Sequence, residues 1–199
     1  MPIVFGEMAS TLEAIVAAFG RHGDRVRGVY RAHYRFDATT RDLYHAPRLE
    51  RPESLRGNPP DVTYPWEQIF LAAATCAGSD YPMLAAHFGI PLERVDFVVE
   101  GVFDPRPQFD GLGGYVAPND VRHAYSGLHL RATTVSSASR ADLERIHAHV
   151  VTHNMVLGAL RGIPQTSELI TLPSRVRGEA LGGGETGAAS QGCSPTAYG

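Results

Sequence analysis

Only two cysteines, Cys76 and Cys193, occur in the 199 residues. That excludes a disulfide framework and makes a free thiol in a reducing compartment the expectation. Basic clusters are also missing: the 18 Lys+Arg are scattered and outnumbered by 21 Asp+Glu, for a formal net charge of -3. Nucleic acids and anionic membranes are held by concentrated cationic charge, so neither is an expected partner. No run approaches the roughly 20 apolar residues that span a bilayer. Met1–Glu7 has neither the basic flank nor the apolar centre of a secretory leader, and a cytoplasmic location is expected. What remains, 43% hydrophobic and 20% charged residues, is the composition of one globular domain.

Periodicity divides the chain into a helical segment over 1–24, a domain over 25–174 and a Gly/Ala/Ser-rich tail over 175–199, too poor in large apolar residues to order itself. Ser10 and Glu13 read as a capping box for the first helix. From Arg25 to Asp37, Tyr30, Ala32, Tyr34 and Phe36 alternate with Arg31, His33 and Arg35, a half-buried strand. A second strand is expected over Asp42–His45, and the Pro- and Arg-rich run Pro47–Pro60 reads as irregular. Pro65 suits a first helical turn, and Trp66–Phe88 is the longest apolar helical run, with Pro82 expected to kink it. Strands follow near Val95–Phe103 and Tyr125–Val135, joined through the turn Gly111–Gly114. Ser139 caps a helix with a Leu143, Ile146, Val150 stripe, and a short strand near Thr166–Leu172 closes the domain. The class is α+β, with antiparallel strands around a long central helix. That helix is apolar on more than one side, which implies a homodimer.

The stretch Pro65-Trp-Glu67 through Ala74-Thr-Cys76 resembles the helix signature of the OsmC/Ohr family, in which Pro and Glu open an Ala-rich helix that carries a cysteine. His87-Phe-Gly-Ile90, Gly111–Tyr115 and Asp120–Tyr125 follow in matching order, so the resemblance spans roughly Arg25 to Leu172. It implies an intertwined homodimer that reduces organic hydroperoxides with a peroxidatic and a resolving cysteine. Cys76 stands at the peroxidatic position, and Asn154 stands where the second thiol is expected. The family's carboxylate–arginine pair implies a catalytic role for Glu67 with Arg31 or Arg35.

A thiolate attacks a peroxide oxygen, so such a cysteine needs a cationic or hydrogen-bonding neighbour, together with access. A free cysteine in an Ala-rich helix is otherwise a small core hydrophobe. Asp80, one turn after Cys76, could accept its proton or orient a neighbour. Asn154 and His147 share the inward stripe of the late helix, so Asp80, Asn154 and His147 are the expected substrate-pocket residues. His149 and His153 have the i, i+4 spacing of paired metal ligands but lack an HExxH pattern; neither metal nor other cofactor is expected. The expected activity is reduction of an organic hydroperoxide by Cys76, with an external thiol as reductant because asparagine cannot form a disulfide. Two alternatives share the pocket: chemistry on a small biosynthetic metabolite, and non-catalytic binding of a small ligand.

Overall fold

A strand with one apolar and one charged edge must bury the first against other elements, and β1 (Gly28–Asp37) does so, with Tyr30, Ala32, Tyr34 and Phe36 buried and Arg31 and His33 half-exposed. The computed structural model describes residues 9–14, 16–17, 21, 27–40, 47–52, 63–120 and 124–174. Residues 9–14 are helical, and because the helix already includes Ala9, Ser10 lies within it rather than at its cap. The strand expected over Asp42–His45 and the tail with Cys193 lie outside the described residues.

The sheet has five strands in the order β2-β1-β3-β4-β5. Strand β2 (Arg48–Glu50) is a three-residue edge inside the run read as irregular; Pro52 follows it closely, and a proline cannot donate to a ladder. Strand β3 (Arg94–Phe103) pairs antiparallel with β1 and with β4 (Tyr125–Ser136). The pairings are antiparallel as expected except at β5 (Gln165–Pro173), which pairs parallel to β4. The cause is the connection: the chain between them crosses the sheet face as helices α2 (Arg140–His153) and α3 (Met155–Ala159), which returns it to the same end.

Helix α1 (Pro65–Phe88) lies on one face of the sheet, over β1 and β3, rather than being encircled by strands. Pro65 occupies its first turn, and Gly89, at φ 67°, takes the left-handed conformation that ends it. Gly78 is required by packing: a Cβ there would come within 2.2 Å of the Tyr34 ring, so the helix sits directly on β1 at this point. The α1 run, read as too short in apolar residues to span a bilayer, is in fact long and apolar enough to do so; half of it is buried within the fold, as in a core helix. The opposite sheet face carries charge. Arg31 pairs with Glu50 at 3.7 Å and with Glu100, Arg35 pairs with Asp96, and Arg131 approaches Glu168 at 3.9 Å.

Candidate active site around Cys76

Cys76 sits midway along α1, half-buried, on the side turned towards the junction of α2 and α3. That junction is Asn154. Its backbone closes α2 by donating to the Val150 carbonyl at 3.0 Å, and its side chain opens α3. Asparagine is a strong N-cap because its carbonyl oxygen accepts otherwise unpaired backbone N–H groups. Here Oδ1 accepts from Val156 at 3.1 Å and Leu157 at 3.0 Å. The same amide turns its nitrogen to the thiol: Nδ2 donates to Cys76 Sγ at 3.2 Å and to Asp80 Oδ2 at 2.7 Å. With Asn154 only 5% exposed, the amide is held from both ends. Ser79 Oγ donates to the Cys76 carbonyl at 3.0 Å, adding a local tie on the helix.

These groups line a cavity of about 230 Å³, completed by Met83, Leu84, His149, His153 and Met155. Cys76, Asp80 and Asn154 are therefore brought together. His149 and His153, weighed in the sequence only as a metal pair, are wall residues with ring centroids 4.6 Å apart. No group of three or more His, Cys, Asp or Glu side chains is arranged to hold a metal ion among the described residues.

His147 is not part of this cavity. Its Nδ1 hydrogen-bonds the Tyr81 hydroxyl at 2.6 Å and its Nε2 the Ser167 hydroxyl at 3.2 Å, so it ties α2 to α1 and β5. The stripe turns it inward only in part: it is half-buried, and Tyr81 claims it. Burial holds its pKa below the ordinary 6.5. The unfolded chain therefore binds a proton here more readily than the native one, so this contribution to stability is complete above about pH 6.5 and declines as pH falls below it. Denaturation midpoints at about pH 7.5 and pH 5.5 should fall less for His147→Gln than for the parent; equal slopes would show that His147 does not carry the effect.

Glu67 is fully buried at the start of α1, and its carboxylate is bound by Arg51, not by Arg31 or Arg35. Arg51 Nε donates to Oε1 at 2.6 Å and Nη2 to Oε2 at 2.9 Å, while Oε2 also accepts the Tyr64 N–H at 2.8 Å. The hydrogen bond to Glu67 raises the Arg51 pKa above its ordinary value. Arg31 and Arg35 belong to the charged outer sheet face, where Glu100 and Asp96 bind them, because β1 must turn its aromatic edge to α1. Nine residues of helix separate Glu67 from Cys76, roughly 14 Å along the axis. A further cavity of about 1060 Å³ lies at the Glu67 end, with Trp66, Phe103, Tyr125 and Ile163 in its wall.

No protein-family model and no curated protein matches the chain. Among solved structures it is similar to an OsmC-like protein from Mycoplasma pneumoniae, at 10% identity and TM-score 0.45 over 72% of this chain and 96% of that one. It is also similar to an organic hydroperoxide resistance protein OsmC from Legionella pneumophila, at 15% identity and TM-score 0.37 over 72% and 96%. A hypothetical protein from Aquifex aeolicus gives 10% identity and TM-score 0.44 over 58% and 78%. The chain is an α+β protein by its own elements, and the chemistry of its site rests on its own residues.

Proposed function

We propose that the protein reduces organic hydroperoxides through Cys76, using an external thiol as reductant. The observation that carries this reading is a half-buried thiol opening on a cavity with an amide N–H fixed 3.2 Å from its sulfur. An N–H fixed there holds the sulfur in place at the cavity wall, and it is the thiolate form of a cysteine that attacks a peroxide oxygen. Met83, Leu84 and Met155 give the cavity an apolar side suited to the alkyl part of the substrate.

In the reaction, the Cys76 thiolate attacks the distal oxygen of ROOH. An S–O bond forms, the O–O bond breaks, and the electron pair leaves on RO⁻, which takes up a proton to depart as ROH. Cys76 has lost two electrons and is a sulfenic acid. Asn154 cannot supply a sulfur, so an external thiol attacks this sulfenic acid, releasing water and forming a mixed disulfide. A second thiol breaks that disulfide and returns Cys76. Incubation with cumene hydroperoxide and a dithiol should consume peroxide catalytically, and without dithiol should add one oxygen to Cys76. Absence of catalytic consumption by the folded protein removes the reading.

The active form is a homodimer. Its support is the outer side of α1, where Gln68, Ala72, Met83 and Ala86 are exposed, next to Met155, which is 82% exposed. An apolar surface of this kind is normally covered. Light scattering should give twice the chain mass for the parent, and Ala72→Arg should shift it towards the monomer; a parent that scatters as a monomer at micromolar concentration rejects the dimer.

A further inference from the structure

Every hydrogen-bonding position of the Asn154 amide is taken, and this bears on what happens to Cys76 after oxidation. Oδ1 serves two backbone N–H groups of α3, while the two hydrogens of Nδ2 go to Cys76 Sγ and Asp80 Oδ2. Turning the amide over would face it with wrong partners at all four positions. Sulfur and carboxylate thus share one fixed nitrogen and lie no further apart than the two bonds laid end to end, roughly 6 Å. Among the described residues no cation forms an ion pair with Asp80.

A sulfenic acid adds an oxygen one bond beyond the sulfur, and rotation about the Cβ–S bond brings that oxygen within reach of both Asp80 and the amide. The neutral S–O–H group can donate its hydrogen to the carboxylate. Its anion, the sulfenate, would instead set a second negative charge against the first in a half-buried cavity, which disfavours ionisation. The thiolate sulfur meets the same carboxylate, and it receives the Asn154 N–H directly.

We infer that Asp80 keeps the Cys76 sulfenic acid protonated and thereby guards it against a second oxidation. The guarded step is attack by the sulfenate sulfur on the distal oxygen of another hydroperoxide. A second S–O bond forms, the O–O bond breaks, ROH leaves after taking up a proton, and the sulfur loses two more electrons to become a sulfinate, which simple thiols do not reduce. The inference rests on the proposed hydroperoxide chemistry of Cys76 and deepens it. With asparagine where a resolving thiol would stand, the sulfenic acid persists until an external thiol arrives, and in that interval a second peroxide can strike.

The test treats reduced parent, Asp80→Asn and Asp80→Glu with excess hydrogen peroxide in the absence of reductant. Aliquots are quenched with dimedone, which captures sulfenic acid, and the sulfinic form is counted by the mass of the Cys76 peptide. The carbonyl that replaces the carboxylate in Asp80→Asn still accepts from Asn154, so the cap and the thiol hydrogen bond are retained. The ratio of second-step to first-step rate should rise about tenfold in Asp80→Asn, as expected for removing a charge a few ångströms away, and return towards the parent value in Asp80→Glu. Should Asp80→Asn not fold, Asp80→Ala carries the same expectation. An unchanged ratio overturns the inference, as does a parent whose Cys76 stays unmodified or passes to the sulfinic acid as fast as the sulfenic acid forms. Turnover of cumene hydroperoxide, measured in parallel, keeps the two readings apart. An active parent with an unchanged ratio removes the guard alone, whereas an inactive parent with the raised ratio removes the peroxidase reading alone.

Discussion

Cys76→Ser is expected to lower dithiol-dependent turnover of cumene hydroperoxide by about 10³-fold or more, with folding intact. The hydroxyl is close in size to the thiol and Ser can still accept the Asn154 N–H, so the cavity and the α3 cap should survive. What is lost is the polarisable anion: a serine hydroxyl is not ionised near neutral pH and does not attack peroxide oxygen. Initial rates of peroxide loss, with circular dichroism as the control for fold, provide the check. Cys193→Ser should retain parental turnover in the same assay, because added dithiol performs the reduction. A Cys76→Ser protein that keeps the parental rate would move the chemistry to another residue.

Glu67→Ala is expected to cost about 3–5 kcal/mol of stability, a large share of the 5–15 kcal/mol typical of a domain. The substitution leaves the Arg51 side chain, 12% exposed, without its bidentate carboxylate and the Tyr64 N–H without that acceptor, and it empties the space of a fully buried side chain. Replacing both members of the pair by apolar residues, as in Arg51→Met with Glu67→Met, should be far less harmful, since neither charge then stays buried without the other. Urea denaturation of both single variants and the double variant gives the coupling; a Glu67→Ala loss below about 1 kcal/mol would show the pair to be dispensable. The pair acts on the seat of β2 against α1. A residual folded fraction of Glu67→Ala should therefore retain the Cys76 oxidation step.

Strong local periodicity made much of the fold legible. The alternation in β1 places four aromatic or small residues on one side and two arginines and a histidine on the other, and only one register satisfies both. The Leu143, Ile146, Val150 stripe likewise sufficed to turn Asn154 inward, where it meets Cys76 and Asp80. Arg51 was not legible, because it stands in a Pro- and Arg-rich run with no period, and its partner is sixteen residues away in sequence. The cap at Asn154 had a signal, an asparagine directly before Met-Val-Leu, but a continuous apolar pattern ran over it. The direction of β5 had none: nothing local tells a strand whether its neighbour runs with it or against it.

The chain's single tryptophan, Trp66, stacks on Tyr64 at 4.6 Å and on Phe103 at 5.3 Å, both rings nearly parallel to its own. Its fluorescence is thus an optical gauge of the Glu67 end of α1, while alkylation of Cys76 reports on the middle of the same helix. Followed together through one denaturant titration, the light and the thiol ask whether α1 comes off the sheet as a unit or peels from its first turn.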